Sequence, residues 1–418
     1  MNSTNIISKW IDDNSEQLIS IADSIHKNPE IAYEEYRSSK LLADYLASRG
    51  FEVKMGTADI ETAFTAEWGN RTPIIGFLAE YDALPGLGHA CAHNLLGTAV
   101  CAAAAALKED MLAHGTPGTI RVYGTPAEEI MSGKIVMNNK GVFDDLDIAV
   151  TWHPFDRNRV CNDIWPSIDR KTYTFAGVPA HASECPDLGR SALDAAELMN
   201  VGANYLREHV STDVRMHYAY MDNGIPANIV PDKAKTEYFI RSPRRSITED
   251  ASLRIDNCAR GAALMTGTTV EMELLAYCDE MKINRPLCEL YYEAMKNIAT
   301  PEYTDEEYDY AEKLSREAGI ANGGKHFTGL CELEDEPQII YIGTDASQVS
   351  HKVPLITLSA QTMITGTAIH HWANERQAGM SIGWKGMLYA ARCMAEGTKL
   401  LIETPGGIEK AWEYHLAQ

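Results

Sequence analysis

The chain has 418 residues, 45% of them hydrophobic and 23% charged, a balance that excludes a disordered or collagen-like protein and leaves room for two or three domains. Lys and Arg number 37 against 59 Asp and Glu, a formal net charge of −22. An acidic surface repels phosphate backbones, so no binding to nucleic acid or to an anionic membrane is expected.

The N-terminus, Met1 to Trp10, has no basic stretch followed by an apolar core, and so does not read as a signal peptide. The longest apolar run, Leu95–Leu107, has 13 residues, short of the roughly 20 a spanning helix needs. Nine cysteines, an odd number with no Cys-x-x-Cys pair, fit a reducing cytoplasm rather than a disulfide framework.

Apolar spacing predicts helix across residues 10–49, with Gly50 as a stop. Strands are expected at Thr62–Trp68 and Pro73–Leu78, the second broken by Pro85 and Gly86. Leu95–Leu107 is Ala-rich and reads as a buried helix. Further strands follow at Thr119–Tyr123 and Asp147–Trp152. Strands alternating with helices argue for an α/β fold with a mostly parallel sheet. Near residue 167 the texture changes to strand, helix, strand, helix and strand, at Lys171–Ala176, Ser191–Val210, Lys233–Ile240, Thr248–Met265 and Thr268–Ala276. That β-α-β-β-α-β-like order suggests a smaller inserted α+β domain with an antiparallel sheet. The division expected is a discontinuous catalytic domain, 1–166 and 282–418, around a lid or dimerisation domain, 167–281. Residues 301–336 carry 11 acidic and 3 basic side chains and read as a solvated segment or long loop. Gly343–Ser350 and a helix at Ser381–Glu396 read as a return to the first domain.

Three clusters of ligand-type residues lie just past predicted strand ends. Cys91 and His93 stand in Gly88-His-Ala-Cys-Ala-His-Asn94; Glu128 and Glu129 stand in Thr125-Pro-Ala-Glu-Glu; His153 follows Asp147–Trp152. His370 and His371 lie nearer the C-terminus. Taken singly, each has an ordinary explanation: Cys-x-His pairs rarely bind metal, Glu-Glu is usually solvated surface, and a lone histidine is more often a hydrogen-bonded rim residue. Three at equivalent positions are different, because open α/β sheets build their sites on the carboxyl edge. Thiolate, imidazole and carboxylate together suit zinc or a similar divalent ion, and five such groups exceed one tetrahedral site with an open position.

Gly76-Phe-Leu-Ala-Glu-Tyr-Asp-Ala-Leu-Pro85 followed by Gly88-His-Ala-Cys-Ala-His-Asn94 resembles the metal-binding segment of the dinuclear-metal amidohydrolase and peptidase superfamily, which includes aminoacylase, carboxypeptidase G and the auxin-conjugate hydrolases. Gly124-Thr-Pro-Ala-Glu-Glu129, Gly141-Val-Phe-Asp-Asp145, Thr151-Trp-His-Pro154, Gly189-Arg-Ser-Ala-Leu-Asp194 and Asn204-Tyr-Leu-Arg-Glu208 are most similar to its p-aminobenzoyl-glutamate hydrolase group, and there to the B-type subunits. The resemblance runs from about residue 15 to residue 400.

It implies a mixed-sheet metallopeptidase domain with an inserted lid, and hydrolysis of an amide beside a free carboxylate in an N-acyl amino acid, an acyl-glutamate or a dipeptide. It implies two divalent ions per chain, Zn or Mn, with Cys91 bridging them and His93, Glu129, His153 and His370 completing the ligands. Glu128 would be the general base, moving a proton from the attacking water to the leaving nitrogen. His371 is the weaker choice for the last ligand, and Asp82 reads as a supporting group. His181, in Gly177-Val-Pro-Ala-His-Ala182, resembles the lid histidine that donates to the oxyanion, often across a dimer. Asn228 and Arg241 resemble residues that hold the substrate carboxylate, which Arg pairs bidentately. A small-molecule carboxylate substrate and a homodimer, or a hetero-oligomer, follow as partners.

Three positions depart from the pattern. Ala92 stands where the family has Gly, which costs on the order of 1 kcal/mol if the backbone there is left-handed. Asn94 replaces the Asp of the auxin-hydrolase version, although Asn is usual in the B-type group, and Trp384 stands where a histidine is expected in that group. Two rival readings use the same residues: a non-catalytic or partner-dependent subunit, and a hydrolase with Cys91 as nucleophile.

Overall fold

The computed structural model describes residues 5–223 and 226–418. The chain divides into two compact units, one made of residues up to Asp163 with 282–338 and 348–418, the other of 164–281 with 339–347.

The first stretch of chain contributes helices α1 (Ile6–Asp13), α2 (Ser15–His26) and α3 (Tyr36–Ser48), then strands β1 (Glu52–Met55), β2 (Phe64–Gly69) and β3 (Ile74–Ala79). Helix α4 (His93–His114), strand β4 (Thr119–Gly124), helix α5 (Gly133–Asn139) and strands β5 (Ile148–Phe155) and β6 (Arg159–Val160) follow. The second unit holds β7 (Ser167–Ala176), α6 (Ala192–Leu206), β8 (Arg215–Asp222), β9 (Lys233–Ser242), α7 (Arg245–Thr266) and β10 (Thr269–Cys278). The chain ends with α8 (Arg285–Lys296), α9 (Asp305–Ala318), α10 (Ala346–Ser350), β11 (Leu355–Gln361), α11 (Trp372–Ala378), α12 (Ser381–Glu403) and α13 (Gly407–Leu416).

The first unit is built on a seven-stranded mixed sheet of order β1-β2-β4-β3-β5-β11-β6. Its centre is parallel: β4 and β5 both run alongside β3, and β11 alongside β5. The strand pairs β1–β2, β2–β4 and β6–β11 are antiparallel, so the sheet is mixed rather than mostly parallel. Helix α4 is buried along most of its length, and its alanines let it lie close to the sheet. At Gly97 a Cβ would meet the Glu80 carbonyl at 2.5 Å, so the helix touches the chain just past β3. Leu42, Leu46, Phe77, Val100, Trp152, Tyr291 and Met394 belong to this core.

The second unit is a four-stranded antiparallel sheet of order β10-β7-β9-β8. Along β9 burial alternates, with Ala234, Thr236, Tyr238 and Ile240 inward, the period-two pattern of a one-sided sheet. The apolar side chains among them form a core with Met199 and Ala203 of α6 and Ile255 and Ala259 of α7.

The stretch 10–49 is largely helical as expected, divided among α1, α2 and α3. Two expectations are corrected. The acidic segment 301–336 contains α9, started by a capping box in which Thr304 and Glu307 bond each other's backbone. Residues 339–347 cluster with the second unit, not with the first. Among the described residues no helix is long and apolar enough to cross a membrane.

Candidate metal centre

The parallel pairing sets the carboxyl ends of β3, β4 and β5 side by side; Ala79 stands opposite Gly124, and the Thr125 N–H donates to the Ala79 carbonyl at 2.8 Å. Glu80 and Asp82 follow β3, Glu128 and Glu129 follow β4, and His153 lies near the end of β5. Cys91 precedes α4 and His93 opens it. His370 is drawn in by its own backbone, whose N–H donates to the Ala90 carbonyl at 3.0 Å, and Asn374 donates to the same carbonyl.

Three overlapping triads place one ligand atom from each member within 4.8 Å of the others: Cys91, His93 and His153; Cys91, Glu129 and His370; Glu80, His93 and Glu128. All five ligand candidates read from sequence fall in this cluster, with Glu128 beside them. Cys91 is common to two triads and lies 3.5 Å from His153 Nε2. His370 Nε2 is 3.2 Å from Glu129 Oε2. His371 does something else: its Nδ1 accepts the Ala373 N–H and caps α11.

Asp82 is buried and arranges two of these residues at once. Its Oδ1 accepts the His93 Nδ1–H at 2.8 Å and its Oδ2 accepts the Glu129 backbone N–H at 2.9 Å. His93 therefore turns its Nε2 toward Glu80 Oε2, 3.4 Å away. His153 is oriented the same way, its Nδ1–H donating to the Pro154 carbonyl at 2.8 Å. A second atom on a ligating ring is commonly tied down like this, fixing the tautomer.

The donor set tests whether a metal fits. His93 Nε2, Glu80 Oε2 and Glu129 Oε1 are buried and have no hydrogen-bond partner. The two carboxylate oxygens are acceptors; His93 Nε2, 3.4 Å from Glu80 Oε2, satisfies that oxygen either as a protonated ring, which Cys91 and Asp82 favour against the burial, or by sharing a cation with it. Thiolate, imidazole and carboxylate are the ligands divalent zinc-like ions take, so the residues fit the group. Burial, with Glu129 adding to it, pushes the Cys91 thiol up, and burial with the neighbouring His93 pushes His153 down to about 4. Without a cation the thiol keeps its proton and His153 stays neutral.

Four residues beside the cluster are in the left-handed region, Ala92 at φ +61°, Ala127 at +59°, Met131 at +57° and His370 at +57°. Such backbone gathers where the surrounding structure must aim side chains. Ala92 thus carries the strain its sequence position implied. Asn94 bonds the carbonyls of Ala22 and Ala378, a structural tie, and Trp384 packs against the core from α12.

Sequence alone does not single out Glu80 and Lys134. Lys134 is fully buried, with its Nζ 2.8 Å from Glu80 Oε1. Charged residues read as surface unless a motif claims them, and only the fold reveals this pair.

His181, Asn228 and Arg241 belong to the second unit. His181 is exposed, and its Nδ1 accepts the Glu184 N–H at 3.2 Å, which leaves the ring proton on Nε2 as a donor. It stands in an isolated bridge with Ile229, and the Asn228 carbonyl accepts the Ala182 N–H at 3.0 Å, so His181 and Asn228 share one loop pair. Gly224 and Ile225, from the motif around Asn228, lie outside the described residues. Arg241 is half-buried at the end of β9; its guanidinium donates to the Tyr341 carbonyl at 3.0 Å and lies near the Phe239 ring.

No family model matches the chain. Curated proteins align over most of it. The B-type subunit of p-aminobenzoyl-glutamate hydrolase from Escherichia coli (strain K12) is 36% identical over 455 aligned positions, covering 98% of this chain and 95% of that protein. Xaa-Arg dipeptidase of Mus musculus is 34% identical over 359 positions, covering 80% and 79%. Among solved structures, a Bacillus subtilis dinuclear metal binding peptidase from the M20 family superposes with a TM-score of 0.62 at 18% identity, covering 94% of this chain and 99% of that one. At that identity the likeness is one of fold. Sheet, inserted unit and donor cluster define a metal-dependent hydrolase of the amidohydrolase and peptidase class. Within that class the chain belongs to the p-aminobenzoyl-glutamate hydrolase family, in its B-type branch.

Proposed function

We propose that this enzyme cleaves the amide bond of an N-acyl amino acid, an acyl-glutamate or a dipeptide that carries a free carboxylate, using two divalent ions, Zn or Mn. The observation that carries the reading is the convergence of thiol, imidazole and carboxylate side chains at the parallel strand ends, in three overlapping triads whose ligand atoms lie within 4.8 Å of one another. Cys91, His93, Glu129, His153 and His370 would hold the ions in this reading, Cys91 being the residue common to two of the triads. Bound divalent ions supply Lewis acidity, polarising the scissile carbonyl and making water more acidic.

The chain's own residues do the rest. Glu128 takes the proton from the attacking water and returns it to the leaving nitrogen. His181, its proton on Nε2, donates to the oxyanion that develops at the carbonyl. Asn228 and Arg241 hold the substrate carboxylate; the guanidinium is already oriented by the Tyr341 carbonyl. The curated relatives support the substrate class: their names specify an aminobenzoyl-glutamate and Xaa-Arg dipeptides, both amides of an amino acid. The rival thiol mechanism is disfavoured, because Cys91 is buried and its thiol is pushed up, the reverse of an activated nucleophile.

The same reading places the protein in the cytoplasm, where its nine unpaired cysteines remain reduced, as a homodimer or with a second type of subunit. The Escherichia coli relative is named as one of two kinds of subunit, and the other kind from that organism, the A-type, is 26% identical over 271 positions.

Elemental analysis combined with a panel of N-acyl amino acids and dipeptides tests the proposal. About two divalent ions per chain and chelator-sensitive release of a free amino acid are expected. A metal-free protein whose amidase activity ignores chelator overturns it.

A further inference from the structure

Glu35 is fully buried beside the metal centre, yet it belongs to none of the ligand triads. Its Oε1 accepts the backbone N–H of Ala127 at 2.9 Å. Ala127 immediately precedes Glu128 and Glu129 and is left-handed, at φ 59° and ψ 37°. A residue with a Cβ holds that conformation only under strain, so other contacts must fix it.

The same N-terminal segment grips the far end of the turn. The Tyr33 hydroxyl, two residues before Glu35, hydrogen-bonds Ser132 Oγ. The segment is itself anchored, since the Ala83 N–H donates to the Glu30 carbonyl at 2.8 Å and Ile31 bridges to Ala83. Within the turn, the Met131 N–H bonds the Glu128 carbonyl at 2.7 Å and the Ser132 N–H bonds that of Ala127 at 3.2 Å. Gly133 closes it so tightly that a Cβ would lie 1.7 Å from the Pro126 carbonyl. Residues 127–132 are therefore a strained turn held at both ends by residues 33 and 35.

We propose that Glu35 is a positioning residue for the general base: by accepting the Ala127 N–H it holds the left-handed turn that aims Glu128 and Glu129, with Tyr33 completing the clamp. The proposal rests on the reading of Glu128 as the base. What the turn needs from Glu35 is an acceptor of the right length, not a charge. Burial pushes the Glu35 carboxyl up to about 7, and Asp82 adds to it, so the side chain already bears its negative charge weakly. A neutral amide oxygen should serve as well.

Glu35→Ala, Glu35→Gln and Glu35→Asp, made in the full-length metal-loaded enzyme, test this, with kcat, KM, metal content and hydrogen exchange of the 125–133 peptide measured for each. Glu35→Ala should lower kcat by about 10- to 100-fold, the scale of a small misplacement of a catalytic group, with KM little changed and metal retained. Exchange in 125–133 should accelerate. Glu35→Gln should restore most of both readouts. Glu35→Asp, one methylene too short but still acidic, should behave like Glu35→Ala and serves in its place if that variant does not fold. Unchanged exchange in Glu35→Ala, or a Glu35→Gln as impaired as Glu35→Ala, overturns the clamp. If the unmodified enzyme cleaves no amide, the functional reading fails, and the exchange pattern alone then decides the clamp.

Discussion

Lys134 Nζ and Glu80 Oε1 lie 2.8 Å apart, and both side chains are almost wholly removed from solvent. Each charge is tolerated there only because of charged neighbours, and Glu80 also faces His93. Removing one partner of a buried pair costs about 3–5 kcal/mol, because the other charge is left desolvated. Lys134→Met should therefore destabilise the protein by about that amount in urea unfolding. Adding Glu80→Gln should recover part of the loss. A loss below about 1 kcal/mol, with no recovery in the double variant, would show the pair to be energetically idle.

Glu128 and Glu129 are neighbours in sequence with different surroundings. Glu129 takes its backbone N–H to Asp82 and its carboxylate to His370, and it shares a triad with Cys91. Glu128→Gln should keep its metals and lose about 10²- to 10⁴-fold in kcat, the worth of a general base. Glu129→Gln should lose metal affinity as well. Elemental analysis beside turnover separates the two, and equal metal loss in both would exchange or merge the roles.

Ala92 connects Cys91 to His93 in a left-handed conformation at φ +61°. Glycine adopts that geometry freely but has more freedom to lose on folding, so Ala92→Gly should stabilise the metal-free protein by about 0.5–1 kcal/mol. Its metal stoichiometry should be unchanged, because neither ligand is altered. Denaturant midpoints of the metal-free forms provide the measurement, and a less stable variant would mean that the Ala92 methyl packs well enough to offset its backbone strain.

The features legible in sequence are those with a local signature. Pro85 and Gly86 mark where β3 has ended, and the run of ligand residues past each strand marks the edge of the sheet. The alternation in β9 and the apolar stripes of α6 and α7 mark the second unit. Strand β8 is not legible because it is a largely exposed edge strand, whose residues Arg215 to Asp222 carry no inward-outward alternation. Strand β11 is hidden for the opposite reason: it is buried at every position, Leu355 to Gln361, and a short buried run resembles a helix segment as much as a strand. Helix α9 is signalled by Thr304-x-x-Glu307, but the charge count of the segment outweighs that cap. Glu35, Glu80 and Lys134 carry no local signal. Their partners are 92 residues away for Glu35, at Ala127, and on a different element for the ion pair, so only tertiary structure brings them together.

His181 supplies the last prediction. Its Nδ1 lies within reach of the Ser183 and Glu184 backbone N–H groups, the nearer at 3.2 Å, so the loop makes that atom an acceptor. The neutral ring then carries its proton on Nε2, the arrangement an oxyanion donor requires. The ¹⁵N shifts of a histidine-labelled sample should report the Nε2–H tautomer for His181 before substrate is added. His181→Ala should lower kcat by about 10²- to 10³-fold, the usual cost of a lost oxyanion donor, without releasing metal, since no triad includes it. If the histidine serves a neighbouring protomer, mixed oligomers of His181→Ala with Glu128→Gln should regain activity, because one combination of protomers keeps both groups intact. A full-rate His181→Ala variant would leave the ring as an exposed loop residue capped by its own backbone. Loss of activity with no recovery, despite proven exchange of protomers, would assign it to the active site of its own chain.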